Sequence, residues 1–493
     1  MSVTPSRHQK IQIRQKKCHL WVKSRQKKCI FAAKSRQKKC NQMAKSRQKK
    51  CNLIMYRAVI EDLRRWKRSK GRKPLIMQGA RQVGKTYILK EFGRLEYAKT
   101  VHISFDRDEK ARQFFNEGGG AEKLIRMLSA HSEVDIMPND TLVILDEIQE
   151  CPAALEALKY FYEETPQYHI VVAGSLLGIS LHGNASFPVG KVDMMRLFPM
   201  TYEEFLAAMG KQSLLKALQQ QDWDIINALA GDYIDLLRQY YYVGGMPEVV
   251  LAYIEGHGPQ EVRQIQDKIL SAYRYDFSKH APSNEVPRIN MVWDSIPSQL
   301  AKDNKKFIYG AMKKGARATQ FEEAIQWLID AGLVYKVNRV SDIKMPLKFY
   351  EDFSAFKLFL LDVGLMGAMV KAPSSLVLIG NDIFKEYKGA FTELFAYTQL
   401  VTTDIPVYYH SVDKSTIEID FALQIEKHVY PVEVKSEVNL QSKSLKTFME
   451  SHPELKALRF SMKNHIDQEW VENLPLYAFK EALLARETHI ISK

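Results

Sequence analysis

Cysteine is almost absent from most of this 493-residue chain. Four of the five cysteines lie within residues 1–54, which leaves only Cys151 in the remainder. One cysteine excludes a disulfide framework there and is typical of a protein of the reducing cytosol. Long apolar runs are also missing, because the longest candidate, Phe359–Val370, contains Asp362 and two glycines. We therefore expect a cytoplasmic protein that does not span a membrane.

Acidic residues are missing from residues 1–54, which hold 17 lysines and arginines. The five letters RQKKC recur there with a period of 11 residues. The rest of the chain has 54 basic residues (71 less 17) against 57 acidic ones, so the formal net charge of +14 comes from this segment. Three interpretations compete: a basic arm for nucleic acid, an organellar transit peptide, or translated tandem DNA upstream of the true start. We favour the third, with a segment that is disordered or not native and a protein that starts at Met55.

A phosphate-binding loop is predicted at residues 79–86, GARQVGKT, directly after an apolar run typical of a buried parallel strand. Gly79 and Gly84 allow the main-chain N–H groups to turn toward phosphate oxygens. Lys85 is predicted to contact the β- and γ-phosphates, and Thr86 to offer its hydroxyl to Mg²⁺.

A second motif, residues 142–147, places two carboxylates after four apolar residues. This pattern predicts a buried strand that delivers Asp146 to the Mg²⁺ shell and Glu147 to the attacking water. Ser175 follows another apolar strand, where a hydroxyl would contact the γ-phosphate or the water. The alternative is that Ser175 belongs to a simple turn. Together the two motifs predict a nucleoside-triphosphate enzyme or switch.

Two basic residues near the end of this region are candidates for a further positive charge on the γ-phosphate. Lys191 and Arg196 flank the last predicted strand, and either would act in cis or from a neighbouring subunit. The alternative is a solvated basic residue on an edge strand.

The 439 residues from Met55 onward are too many for one core and predict two or three domains. We expect a P-loop ATPase domain at 55–210, a helical and winged-helix region at 211–345, and an α/β domain at 346–493. Within the second region, three helix candidates at 290–301, 307–313 and 320–331 precede an apolar strand. Basic residues cluster there, either as a phosphate footprint on DNA or as the solvated face of a protein-docking module: Lys302, Lys305, Lys306, Lys313, Lys314 and Arg317.

Strict alternation of apolar and polar residues at 416–423 and 429–435 predicts a β-hairpin. A turn centred between residues 426 and 427 would place Asp420 opposite Glu433 on the polar face. The apolar residues would then all lie on the other face.

The polar face of this hairpin has the residue types of a metal site. The same register places Glu418 opposite Lys435, and Glu393 lies on a predicted helix upstream. Asp followed by Glu-x-Lys on adjacent strands is how restriction-type nucleases hold a divalent metal and activate water. Glu393, Asp420, Glu433 and Lys435 are therefore a candidate second metal site. The alternative is a Glu418–Lys435 ion pair on a solvated face.

Taken in order, these motifs resemble one family, the bacterial and archaeal AAA-like ATP-binding proteins with an uncharacterised restriction-endonuclease-like C-terminal domain. The resemblance covers residues 55–493 and rests on six segments: GARQVGKT, LVILDEIQ, VVAGSLLG, FPVGKVDMMRLFPMTYEEF, YVGGMPEVV and GAFTELFAY with IEIDFAL and VYPVEVKS. It implies an α/β fold, namely a P-loop NTPase with a parallel sheet, a winged-helix middle and a nuclease-like end. It also implies that the nucleotide is ATP, bound with Mg²⁺, and it leaves the oligomeric state open.

Two hypotheses follow for the purpose of ATP hydrolysis. In the first, hydrolysis drives or gates the nuclease-like domain while the winged helix holds DNA. In the second, the protein is a nucleotide switch whose C-terminal domain is a catalytically silent docking module for a partner protein. The nearly neutral charge beyond residue 54 favours the second, because a dedicated DNA binder usually carries a basic surplus.

A chain that begins at Met55 is expected to fold and to hydrolyse ATP, because every motif lies beyond residue 54. Circular dichroism and phosphate release, each compared with the full-length chain, measure this directly. An insoluble or inactive truncated protein would contradict our interpretation of the repeat segment.

Overall fold

Two β-sheets organise the described part of this computed structural model. The structure describes residues 55–175, 178, 187–302, 305–374, 385–413, 415, 417–436 and 442–491. Arg57–Lys493 form one unit, and residues 1–56 fall outside it. Among the described residues, no helix is both long enough and apolar enough to cross a membrane.

The first sheet has five parallel strands within the described chain, in the order β2-β3-β4-β1-β5. Its strands are β1 (Leu75–Gln78), β2 (Lys99–Ser104), β3 (Thr141–Asp146), β4 (His169–Gly174) and β5 (Asp193–Arg196). The predicted parallel sheet is confirmed. The carboxyl ends of parallel strands meet at one edge, so the residues that follow β1, β3 and β4 come together there.

Five helices pack around this sheet in the described chain. They are α1 (Val59–Arg68), α2 (Lys85–Glu96), α3 (Glu109–Asn116), α4 (Ala121–Ser132) and α5 (Pro152–Glu164). The buried face of α1 contains Val59, Leu63 and Trp66, an apolar stripe at helical spacing. A hydrophobic core joins α3, α4 and α5 to β2, β3 and β4 and holds these strand ends in place.

Helices dominate the following residues, up to residue 330. They are α6 (Tyr202–Ala208), α7 (Gln212–Gln220), α8 (Trp223–Ala228), α9 (Ala230–Val243), α10 (Pro247–Ile254), α11 (Pro259–His280), α12 (Val286–Leu300) and α13 (Glu322–Asp330). Helix α6 begins with a capping box, in which Thr201 and Glu204 each bond the other's backbone N–H. Gly244 and Gly245 separate α9, which ends at Val243, from α10, which begins at Pro247.

The second sheet has eight strands in the described chain, in the order β12-β13-β11-β10-β9-β8-β6-β7. They are β6 (Val334–Val340), β7 (Glu351–Leu360), β8 (Val407–Ser411), β9 (Glu418–Ile425), β10 (His428–Val434), β11 (Ala457–Ser461), β12 (Ile466–Asp467) and β13 (Val471–Pro475). The accompanying helices are α14 (Val363–Met369), α15 (Lys385–Leu400), α16 (Lys443–Ser451) and α17 (Phe479–Ile491).

The predicted hairpin register is confirmed in the second sheet. His428 pairs with Ile425 and Val432 with Phe421, in the antiparallel register that was expected. Asp420 and Glu433 come next along this register, one on each strand. The period-2 pattern of the sequence therefore determined which side chains share a face.

The region predicted as a winged helix differs from expectation. The middle helix candidate, 307–313, forms only a short 3₁₀ turn at Tyr309–Ala311. Phe307 donates its backbone N–H to Phe356 on β7 at 2.8 Å and stacks its ring on the Phe356 ring, so its backbone pairs with a strand. The predicted boundary after Met345 lies between β6 and β7, which pair with each other in one sheet.

A close backbone contact joins the end of the first sheet to the helical region. Met200 donates its N–H to the Gly245 carbonyl at 2.7 Å, and Gly245 donates its own N–H to the buried Asp362 carboxylate at 2.6 Å. A β-carbon on Gly245 would lie 2.1 Å from the Met200 carbonyl oxygen. Only glycine therefore fits at this position.

Replacement of this glycine is expected to destabilise the protein. Gly245→Ala forces the backbone at Met200 to move, which costs about 1–3 kcal/mol, so the thermal unfolding midpoint should fall. Gly231→Ala is a matched control at an exposed position in the first turn of α9, where an added β-carbon meets open space. It should leave the midpoint unchanged or slightly raised, because alanine favours helices. Equal midpoints for the two variants would contradict the proposed crowding.

Candidate nucleotide-binding site

The loop after β1 has the backbone conformation that the glycine spacing predicts. Gly79 and Gly84 have φ of 153° and 95°, and Gln82 also lies in the left-handed region at 68°. A β-carbon on Gly79 would lie 2.3 Å from the Leu197 carbonyl oxygen. Gly84 directly precedes α2, so the loop delivers its N–H groups to a helix N-terminus.

Lys85 lies buried at the centre of this loop. Its Nζ donates hydrogen bonds to the carbonyl oxygens of Gly79 at 2.8 Å and Ala80 at 2.9 Å. Burial lowers the pKa of Lys85 to about 8, although Glu147 and Asp146 act in the opposite direction. The ammonium group is therefore held inside the loop, where a polyphosphate would be a better partner than carbonyl oxygens.

Thr86 and Asp146 lie side by side, as a magnesium site requires. The Thr86 hydroxyl donates to Asp146 Oδ2 at 2.7 Å. His102, on the neighbouring β2, is 3.2 Å from the same oxygen. Burial disfavours the Asp146 carboxylate, but hydrogen bonds from His102, Thr86 and the Glu147 amide outweigh it and lower the pKa of Asp146. The pair presents hard oxygen donors, which is the donor set that Mg²⁺ prefers, so these residues fit the metal.

Glu147 is held by hydrogen bonds just beyond the end of β3. Its Oε2 accepts from Gln149 Nε2 at 2.6 Å and from the Ser175 hydroxyl at 3.3 Å. Its backbone has φ of 50°, which turns the chain immediately after Asp146. The structure therefore brings Ser175 to the carboxylate that the sequence assigned to the attacking water.

Residues that the motifs did not indicate also support the loop. The buried Arg57 guanidinium donates to the carbonyls of Val83 at 3.1 Å and Phe198 at 2.6 Å, and it pairs with Glu204 at 3.1 Å. On the other side Tyr273 of α11 donates to the Arg81 carbonyl at 2.9 Å. Three of these four contacts join positions more than a hundred residues apart, and no local pattern could have revealed them.

Arg81 also connects the loop to α11 by charge. Its guanidinium pairs with Asp276, whose side chain is 3% exposed. The nucleotide loop therefore contacts the helical region through both its main chain and a side chain.

The two candidate cations of the last strand have different surroundings. Lys191 pairs with Glu163 at 2.9 Å and lies over the Tyr162 ring. Arg196 is exposed at the end of β5, opposite Gln78 of β1. The charge of Lys191 is thus balanced by Glu163 of the same domain. Arg196 instead lies next to β1, the strand that leads into the loop.

The C-terminal carboxylates that the sequence grouped lie in a network with lysines. Glu393 forms ion pairs with Lys305 and, at 2.9 Å, with Lys357. Lys357 is fully buried and also pairs with Glu418 at 2.9 Å. Lys305 is 3.7 Å from Asp420. We call these five residues, together with Glu433 and Lys435, the lysine–carboxylate cluster.

Charge within the lysine–carboxylate cluster is balanced by ammonium groups. Burial disfavours the charged form of Lys357, but Glu393, Glu418 and Asp420 outweigh it and raise its pKa. Lys435 pairs with Glu433 rather than with the predicted Glu418. The sequence analysis missed Lys357 and treated Lys305 only as part of a surface footprint.

The expectation of a second metal site meets a physical obstacle in this cluster. Throughout the described ranges, no group of three or more histidine, cysteine or carboxylate side chains is placed to hold a metal ion. Lys305 and Lys357 both pair with Glu393, and Lys305 also lies 3.7 Å from Asp420, so ammonium groups contact two of the three carboxylates that would have to bind the ion. Both lysines come from segments distant in sequence, so the hairpin pattern alone could not indicate them.

Comparison with known proteins identifies the class of the first domain. Residues 71–206 match the family model of the AAA domain. Residues 234–376 and 388–478 each match a domain of unknown function, DUF8612 and DUF4143 respectively. The chain therefore contains an AAA-type P-loop ATPase domain, as the motifs and the parallel sheet predicted. The winged-helix and nuclease-like assignments remain predictions.

Solved structures with similarity to this chain include three archaeal proteins. A Walker-type ATPase of Pyrococcus abyssi is 12% identical with a TM-score of 0.40, covering 64% of this chain and 96% of its own. The Orc1 protein of Aeropyrum pernix, solved in complex with DNA, is 13% identical with a TM-score of 0.24, covering 65% and 92%. The Cdc6p protein of Pyrobaculum aerophilum is 14% identical with a TM-score of 0.22, covering 63% and 90%. No curated protein matches this chain.

Proposed function

We propose that this protein is a Mg²⁺-dependent ATPase that binds ATP in the loop Gly79–Thr86. The observation that carries the proposal is a continuous set of hydrogen bonds at one edge of the sheet. Thr86 bonds Asp146, Asp146 accepts from the Glu147 amide at 3.1 Å, and Glu147 accepts from Ser175. Lys85, the metal-ligand pair, the base and a hydroxyl are thus assembled on neighbouring strand ends.

Each of these residues has a distinct role in the proposed reaction. Lys85 exchanges its carbonyl partners for the β- and γ-phosphates, and the loop N–H groups hold the same oxygens. Thr86 and Asp146 would hold Mg²⁺, which neutralises phosphate charge when bound. Glu147 accepts a proton from the attacking water. Ser175 and Gln149 orient the Glu147 carboxylate through the hydrogen bonds described above.

Substitutions should separate binding from hydrolysis. Lys85→Ala removes the phosphate-binding charge and should abolish both ATP binding and phosphate release. Glu147→Gln keeps the phosphate-binding loop but removes the base, so ATP should bind and stay unhydrolysed, with turnover reduced at least about a hundredfold. Equilibrium dialysis with labelled ATP and a phosphate-release assay measure the two steps.

Matched controls exist for both changes. Lys90→Ala removes an exposed lysine from the same helix, and Glu150→Gln alters an exposed carboxylate three residues from Glu147. Both should behave like the natural protein. If the natural protein retains no ATP in the presence of magnesium, the proposed function is wrong.

For the C-terminal domain we propose the second hypothesis, a catalytically silent docking module under the control of the nucleotide. The lysine–carboxylate cluster supports this choice. A nuclease metal needs free carboxylate oxygens, whereas Glu393, with a side chain 2% exposed, is shared between two ammonium groups. Separating such buried pairs is costly, because each partner would be left as an uncompensated charge.

Contacts between regions support transmission of the nucleotide state. Arg81 of the loop bonds α11 through Asp276, and Gln399 of α15 accepts the N–H of Tyr202 at 3.0 Å. A conformational change in the loop would therefore be transmitted to helices that pack on the C-terminal domain.

The docking hypothesis predicts no metal-dependent DNA cleavage. Incubation of the protein with Mg²⁺ or Mn²⁺ and single-stranded, linear or supercoiled DNA should leave all three intact, and the DNA affinity of residues 55–493 should depend little on salt. Lys435→Ala is the informative variant. Cleavage by the natural protein that this variant abolishes would establish the nuclease hypothesis instead, whereas cleavage that survives it would indicate a contaminant.

A further inference from the structure

A cavity of about 310 Å³ lies beside the start of the phosphate-binding loop. Its walls come from the carboxyl ends of three parallel strands and from the connection between α13 and β6. Gly79 and Ala80 line it after β1, Ser175 after β4, Arg196 at the end of β5, and Asp330 at the end of α13. A volume of this size corresponds to about ten water molecules at liquid density.

Arg196 is the positively charged side chain that lines this cavity. Within the described ranges, its guanidinium makes no hydrogen bond or ion pair, whereas Lys191 on the same segment is paired with Glu163. Burial raises the pKa values of Tyr335 and Tyr397, and the positive charge of Arg196 opposes both increases. The guanidinium thus acts on the cavity wall, where Tyr335 also lies, and its five N–H donors are available to an anion.

The cavity lies on the side of the loop where hydrolysis would take place. Ser175 forms part of its wall and donates to the Glu147 carboxylate at 3.3 Å. Gly79 and Ala80, also in the wall, are the residues whose carbonyls hold Lys85. The base and the phosphate-binding lysine therefore each contact residues of the wall that Arg196 also lines.

We infer that this cavity binds the inorganic phosphate produced by ATP hydrolysis, with Arg196 as its principal ligand. The inference rests on the proposed function. In the reaction, the water oxygen bonds to the γ-phosphorus, the bond from that phosphorus to the bridging oxygen breaks, and ADP keeps the bridging oxygen. One proton of the water passes to Glu147 and the other stays on the phosphate as P–OH. The product ion then moves to the guanidinium, which binds phosphate bidentately.

The test is binding of inorganic phosphate to the full chain saturated with ADP and Mg²⁺, measured by equilibrium dialysis with labelled phosphate. ADP fills the β-phosphate position, so added phosphate cannot simply occupy the loop. Arg196→Gln should weaken phosphate binding at least about tenfold, because a charge-assisted bidentate contact is lost. ADP affinity should stay within about twofold of the natural protein, and Arg196→Lys should be intermediate.

Lys191→Gln is the matched control, since it removes a charge from the same segment but leaves the cavity intact. It should bind phosphate as the natural protein does. Phosphate affinity unchanged in Arg196→Gln, or reduced equally in Lys191→Gln, would overturn the inference. Failure of the natural protein to bind ADP would instead contradict the proposed function, whereas ADP binding without phosphate binding would contradict this inference alone. Arg196 is exposed, and a thermal midpoint equal to that of the natural protein shows that the variants are folded.

Discussion

A charged group that is buried away from water needs an opposite charge or several hydrogen bonds. This requirement determines the surroundings of a buried lysine both in the nucleotide loop and in the C-terminal domain. In the nucleotide loop, Lys85 is satisfied by two carbonyl oxygens of its own loop. In the C-terminal domain, the fully buried Lys357 is satisfied by Glu393 and Glu418. The two lysines differ in their partners, because neutral carbonyl dipoles satisfy Lys85 whereas two carboxylates satisfy Lys357.

The same requirement connects the nucleotide loop to distant parts of the chain. Arg57 bonds the loop carbonyl of Val83 and pairs with Glu204, which is itself part of the capping box of α6. Arg81 reaches α11 through Asp276. The loop is therefore supported on two sides by ion pairs that are buried or partly buried.

The C-terminal hairpin shows what a local sequence pattern can predict and what it cannot. Strict alternation predicted the register of β9 and β10, and the pairing of Val432 with Phe421 confirms it. The alternation did not predict the surroundings of the polar face, because it carries no information about side chains from other parts of the chain. Lys305 comes from the loop after α12 and Lys357 from β7, and together they neutralise the carboxylates that resemble a nuclease site.

By itself the sequence determined the parallel sheet, the presence of the two nucleotide motifs and the hairpin register. These depend on interactions within a few residues: glycine conformations and strand periodicity. Only the tertiary structure decided which distant charges meet, why Phe307 pairs with β7 where a helix was expected, and that Arg196 rather than Lys191 lines the cavity beside the loop. Such contacts depend on where whole elements pack, and each element is positioned by its buried face rather than by the polar residues that the packing brings together.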